Sequence, residues 1–61
     1  MQETFINYRL IDESTSNIVY FYSINNEISN HQERLERKKI EMMYKKDIPY
    51  ENLFWEREPY L

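Results

Sequence analysis

The chain predicts an α+β fold of order β-β-α-β, a three-stranded antiparallel sheet with one long helix packed on one face. Three observations carry that expectation. Two β-prone segments, 4–11 and 17–22, flank a polar turn cluster; residues 29–46 hold the longest helical signal; and 52–58 read as a short third strand ahead of a proline.

With 61 residues and no cysteine, the chain is expected to be one small domain, 1–61. At this size about 60% of the unfolded chain's surface is buried on folding. Disulfides and thiolate zinc sites are excluded, so a good apolar core or a dimer must supply stability. Absence of cysteine fits an intracellular protein. MQETFINYRL lacks the basic start and apolar run of a signal peptide, and no window is long and apolar enough to span a bilayer. A cytoplasmic protein with no membrane partner is expected.

The net charge of −3 does not steer the chain toward nucleic acid. Its distribution is uneven: Arg34 to Lys46 holds six basic and two acidic side chains, net +4, and the remainder carries −7. The chain has no glycine, so any turn that needs positive φ must use Asn, Asp or Ser at some cost.

From Thr4 to Ile11 the side chains alternate, with Ile6, Tyr8 and Leu10 on one side and Phe5, Asn7, Arg9 and Ile11 on the other. Asp12 to Asn17 is a run of turn formers, and Asn17 to Tyr22 (NIVYFY) is strongly β-prone. A hairpin follows. A two-residue loop at Ser14-Thr15 or a four-residue loop from Glu13 to Ser16 places Leu10 opposite Val19 and Tyr8 opposite Phe21. One face then holds Ile6, Tyr8, Leu10, Val19 and Phe21 as a core. The other holds Phe5, Asn7, Arg9, Ile11, Ile18, Tyr20 and Tyr22. A three- or five-residue loop would exchange the faces of one strand.

After Ser23 alternation is lost, and Asn25-Asn26 suits a connection. Ser29-Asn30-His31-Gln32 has the spacing of a capping box, so the helix begins at Asn26 or at Ser29. It runs to about Lys46, where Lys45 and Lys46 suit the negative end of the dipole, and Pro49 bars continuation. In the third strand Leu53, Trp55 and Arg57 share one side, and Phe54, Glu56 and Glu58 the other. Leu53 and Trp55 are expected in the core.

At 100° per residue, Ile28, Leu35, Met42 and Met43 fall within an apolar stripe about 100° wide, suited to the sheet. Ile40 and Tyr44 lie outside it. Either the C-terminal segment, through Tyr50 or Tyr60 with Leu61, covers them, or a second subunit does; Ile40, Met43 and Tyr44 are the candidate homodimer contact. The opposite side carries a basic strip, Arg34, Lys38 and Lys45, with Glu41–Lys45 and Glu33–Arg37 spaced as i,i+4 pairs. A solvated face is the plain reading of that strip; a phosphate backbone or an acidic protein groove is the functional alternative.

Chemistry is sparsely represented. His31 stands four residues after Glu27, but two groups alone make neither a metal site nor a base, so an ordinary boundary histidine is expected. The acidic pairs Asp12-Glu13 and Glu56/Glu58 have nothing to shield them from water. The sequence reads as a non-enzyme without cofactor or metal.

Six Tyr, three Phe and one Trp exceed what a small core holds. The predicted mixed face presents Phe5, Tyr20, Tyr22 and Phe54, with Glu56 and Glu58 at its rim. Tyrosines suit strands in any case, but such a surface also suits binding. Aromatics on a sheet stack single-stranded bases in small nucleic-acid modules. Here the carboxylates would repel phosphate, so a protein partner is favoured. An acidic, aromatic sheet surface also has the makings of a DNA mimic.

In size, acidity, β-β-α-β order and expected dimerisation the chain resembles the small phage-encoded inhibitors of uracil-DNA glycosylase that mimic DNA, and more loosely other phage counter-defence proteins. The stretch Asp12-Glu13-Ser14-Thr15 followed by Asn17 is similar to a hairpin segment of one such family. The longer, basic helix departs from it. The resemblance implies a phage or mobile-element inhibitor acting on a host protein, in the host cell cytoplasm. Beside this reading stand a nucleic-acid binder using the basic strip and a structural or regulatory homodimer.

Overall fold

A computed structural model describes residues 4–58. Strand β1 spans Phe5–Asp12, β2 Asn17–Asn25 and β3 Leu53–Arg57; helix α1 spans His31–Lys46, and a single 3-10 turn, Tyr50–Asn52, leads into β3. The three strands form one antiparallel sheet in the order β2-β1-β3. The expected α+β architecture and β-β-α-β order are therefore present, with β1 at the centre.

The hairpin closes through a four-residue loop, since Asp12 pairs with Asn17. The buried Asp12 carboxylate accepts from the Ser14 amide at 3.0 Å and from the Ser14 hydroxyl at 2.7 Å, an Asx-turn that nucleates the reversal. Its carbonyl accepts from the Ser16 amide at 2.8 Å, and Ser16 takes φ 59°. Asp47 takes the same left-handed conformation at φ 55° to cap α1, its amide donating to the Met43 carbonyl. In a chain without glycine, Ser and Asp meet the two positive-φ requirements among the described residues, as expected from composition.

Register departs from expectation after the second pair beyond the loop. Ile11 pairs with Ile18, but Leu10 pairs with Tyr20, leaving Val19 as a bulge. An extra residue in one strand exchanges the faces of everything after it. Tyr8 consequently lies opposite Tyr22, not Phe21, and Arg9 opposite Phe21. The four-residue loop is one of the two lengths expected, and Ile18 keeps its expected face; from Tyr20 onward the faces of β2 are the reverse of those expected, because a bulge leaves no mark in an unbroken β-prone run.

β2 also continues past Tyr22 to Asn25, and Ile24 is buried at 3% exposure. The chain turns at Asn25, whose side-chain oxygen accepts from the Glu27 amide at 2.9 Å and whose carbonyl accepts from Ile28 at 3.0 Å. α1 then begins at His31 with Asn30 as its N-cap residue, and no side chain caps it. The capping box expected at Ser29 and Gln32 is not formed. Instead Asn30 bridges to Glu33 (3.3 Å) and Arg34 (3.0 Å).

The core lies between α1 and the inner face of the sheet. Leu10, Met42 and Leu53 form its centre, and Val19, Tyr20, Met43, Ile48 and Trp55 pack around them. Val19 and Tyr20 both reach it because both stand opposite Leu10 at the bulge. Leu53 and Trp55 join the core as expected. The Trp55 indole N–H donates to the Leu35 carbonyl at 2.9 Å, and its ring meets Tyr8 edge-on at 6.3 Å between centroids.

Leu10→Ala should destabilise the domain by about 2–5 kcal/mol, enough to unfold most molecules of this size, as read by urea denaturation followed by circular dichroism. Trp55→Phe keeps the ring and removes the indole donor. It should lower stability by about 0.5–1.5 kcal/mol, the net worth of one hydrogen bond, since the Leu35 carbonyl keeps its bond within α1.

Candidate functional site

The bulge assigns the sheet's two faces. Facing α1 are Ile6, Tyr8, Leu10, Tyr20, Tyr22, Ile24, Leu53, Trp55 and Arg57; facing away are Phe5, Asn7, Arg9, Ile11, Ile18, Phe21, Ser23, Phe54 and Glu56. The expected binding group of Phe5, Tyr20, Tyr22, Phe54, Glu56 and Glu58 is therefore divided. Phe5, Phe54 and Glu56 lie on the open face, and Glu58, in register with Asn7 through its amide at 2.8 Å, continues that side of β3. Tyr20 and Tyr22 lie on the other. Phe21, expected in the core, takes their place on the open face and is 64% exposed.

Under the helix, Tyr20 and Tyr22 become structural. Their rings stand 6.2 Å apart between centroids, and Tyr22 tilts against Trp55 at 6.1 Å. The Lys38 ammonium lies 5.5 and 5.4 Å from the two ring centres, within range of a cation–π contact, and donates to Glu41 at 3.1 Å. The hydrogen bond with Glu41 raises Lys38 above its ordinary value of 10.5; desolvation works against this, and the Tyr20 and Tyr22 hydroxyls add to it.

The basic strip of Arg34, Lys38 and Lys45 is thus interrupted at its centre: Lys38 is half-buried against the tyrosines, and Arg34 donates to Asn30. Glu41 pairs with Lys38 rather than with Lys45, and Glu33 with Asn30 rather than with Arg37. In both cases a neighbour three residues back takes the place of the i,i+4 partner.

The dimer contact expected of Ile40, Met43 and Tyr44 is also divided. Met43 packs in the core, while Ile40 and Tyr44 remain 39% and 78% exposed. Tyr50 folds against the flank of α1 at Glu36 and Lys39 but leaves Ile40 and Tyr44 exposed, so it does not supply the cover expected of it. Its hydroxyl donates to Glu36 at 2.6 Å, and Lys39 lies 4.2 Å from its ring centre. The bond to Glu36 raises the Tyr50 hydroxyl above its ordinary 10.0. Tyr60 and Leu61 lie outside the described residues.

His31 is a positioning residue for the helix start. One ring nitrogen, Nδ1, meets the Tyr8 hydroxyl at 3.1 Å, and the other, Nε2, meets the Asn25 carbonyl at 3.2 Å. Glu27 is not its partner. Among the described residues no three His, Cys, Asp or Glu side chains gather as metal ligands, and no helix is long and apolar enough to cross a membrane.

What remains is the open face. Phe5, Ile18, Phe21 and Phe54 are 48%, 44%, 64% and 41% exposed, and Ile11 lies between Ile18 and Phe54 in the register. At the usual area of such side chains, their exposed surface amounts to roughly 400 Å². Monomers seldom leave larger contiguous apolar patches open, and such patches often mark interaction sites. Two polar pairs interrupt it: Arg9 with Glu56, and the Ser23 hydroxyl donating to Asn7 at 2.5 Å. Arg9 Nε is buried and finds no acceptor among the described residues, so the terminal nitrogen alone holds the ion pair.

The fold and face define a small α+β domain with one covered and one open sheet surface. Comparison with protein-family models, with curated proteins and with solved structures finds no match.

Two outcomes test this arrangement. Tyr20→Ala should destabilise the fold by about 2–4 kcal/mol, whereas Phe21→Ala should change stability by less than about 1 kcal/mol, as measured by chemical denaturation. Reversed magnitudes would return Phe21 to the core. Lys38 and Tyr50 both hold their protons more tightly in the folded state, so folding favours the protonated forms and stability falls as pH rises. The loss should begin as pH passes the ordinary tyrosine value of 10.0 and continue through that of lysine. In urea titrations at rising pH, Tyr50→Phe should flatten the first part of the decline.

Proposed function

We propose that this chain is a non-enzymatic protein-binding module that engages its partner through the open face of the sheet. The observation that carries this reading is the patch formed by Phe5, Ile18, Phe21 and Phe54, which the helix leaves uncovered. A central apolar cluster with a polar rim is the usual anatomy of a protein interface. The partner's chemistry follows: an apolar protein surface or groove, with polar groups placed to meet Asn7, Ser23 and the Arg9–Glu56 pair.

Within that function, an inhibitor that occupies a target enzyme's apolar groove is the form nearest to the phage-inhibitor resemblance. The DNA-mimic variant has less support, because Glu56 is already neutralised by Arg9. The nucleic-acid alternative is weakened by the engagement of Lys38 and Arg34.

The test is affinity purification from the native host with Phe21→Ser and Phe54→Ser beside Tyr44→Ser. A specific partner should be retained by wild type and by Tyr44→Ser, lost with either Phe variant, and little affected by added salt. Retention by both Phe variants would overturn the reading. Binding that collapses as salt rises would instead favour a phosphate backbone.

A further inference from the structure

The sheet's two edges are treated differently. β3 is five residues long, includes Glu56 and Arg57, and is followed in the sequence by Glu58 and Pro59. Shortness, charge and proline are the usual guards against a further strand. β2 is nine residues long, Asn17–Asn25, with no charged residue and no proline. Its one guard, the bulge at Val19, lies toward one end. From Tyr20 to Asn25 the outer edge is regular and neutral.

Hydrogen-bond alternation fixes which backbone groups point outward. The Asn26 amide donates to the Thr4 carbonyl directly opposite at 2.8 Å, so the exchanged pairs between β1 and β2 fall on Ile6–Ile24, Tyr8–Tyr22 and Leu10–Tyr20. On the far side of β1, the Glu58 amide donates to the Asn7 carbonyl at 2.8 Å, and the Glu13 amide to the Asn52 carbonyl at 2.7 Å, which gives the complementary parity. The N–H and C=O groups of Phe21, Ser23 and Asn25 therefore face away from the sheet. The Asn25 carbonyl is taken by His31 Nε2. The fully free row is Phe21 and Ser23: two donors and two acceptors, bounded by the bulge at one end and by the histidine at the other.

We propose that β2 pairs with β2 of a second copy of this chain, antiparallel about a two-fold axis at Tyr22, joining two three-stranded sheets into one of six strands. This pairing sets Phe21 opposite Ser23 of the second copy and Ser23 opposite its Phe21. All four free groups on each edge are then used in four hydrogen bonds. On the open side each large ring meets a small hydroxyl residue. On the helix side Tyr22 meets its own counterpart, and Tyr20 meets Ile24. A shift by one residue would direct bonded groups at the partner, and a shift by two would call on Asn25 or on the bulge.

The neutrality of β2 favours a second copy: a two-fold axis brings identical side chains together, and a charge on this edge would repel itself. Lys38, which lies against Tyr20 and Tyr22, is matched within its own copy by Glu41, and Arg9, opposite Phe21, by Glu56. Dimerisation also answers the small size of the core. This pairing does not rest on the binding role of the open face, which it leaves uncovered and places side by side with its counterpart.

Sedimentation equilibrium from micromolar to submillimolar concentration should show the wild-type mass rising to about twice the 7.7 kDa of one chain. Ser23→Pro removes an outward-facing N–H that β1 does not use, and should hold the chain at the monomer mass with an unchanged circular dichroism spectrum. Ser23→Lys should do the same through charge. Phe54→Ser should dimerise normally, which separates this proposal from the role of the open face. In wild type, the Phe21 and Ser23 amides should gain hydrogen-exchange protection with concentration. A wild-type monomer throughout the range would overturn the proposal and leave the edge to a foreign strand. So would a dimer that survives both Ser23 variants, or one abolished only by Ile40→Glu with Tyr44→Glu. If neither Ser23 variant folds, exchange decides: unprotected Phe21 and Ser23 amides in a wild-type dimer would overturn it.

Discussion

The single unpaired residue at Val19 governs most of what the surface of this protein presents. It sets Leu10 against Tyr20 and sends Tyr22 and Ile24 to the helix side. Without it, Phe21 would lie beneath α1, and two tyrosine hydroxyls would stand on the open sheet. With it, the two tyrosine rings lie on the helix side, and a phenylalanine is left outside. A bulge also turns two consecutive side chains to the same side. Val19 and Tyr20 thereby widen a core centred on Leu10, Met42 and Leu53, with Ile24 and Leu35 also buried.

So small a core is supplemented by polar attachments of the helix. The Trp55 indole holds the Leu35 carbonyl near the first turns of α1, His31 ties the helix start to Tyr8 and to the end of β2, and Tyr50 ties the flank to Glu36. Each uses an aromatic or imidazole side chain that buries carbon while satisfying a polar group. This accounts for much of the aromatic surplus without any binding role. Among the described residues it leaves unexplained Tyr44, exposed on α1, and Phe5, Phe21 and Phe54, which have no hydroxyl or indole to offer and no helix above them.

The charges follow the same economy. The basic helix spends Lys38 on Glu41 and two tyrosines, Lys39 on Tyr50 and Arg34 on Asn30. Short-range partners on the same helix or the adjacent turn absorb much of a net positive segment. On the open face Arg9 and Glu56 neutralise each other between apolar neighbours. What these pairings leave is the exposed apolar surface of the open face and the neutral outer edge of β2.

Much of the fold was legible from residue order. Alternation in β1, the turn formers from Asp12 to Asn17, the stripe through Leu35 and Met42 and the stop before Pro49 are local signals, and local signals set element type and order. The need for Ser and Asp at positive φ followed from the missing glycine. The candidate site was legible only in part. Phe5, Phe54 and Glu56 were placed on the correct side, because β1 and β3 alternate without interruption. Tyr20, Tyr22 and Phe21 were not, because a one-residue bulge has no sequence signature and reverses every face beyond it. Met43 packs in the core with the stripe to which its helical position assigns it, whereas Lys38 is drawn inward by Tyr20 and Tyr22, which are distant in sequence. By itself, then, the sequence determined the elements, their order and the covered side of β1. Only tertiary packing decided the register of β2, because the alternatives differ in which side chains meet the helix and not in the local preference of any residue.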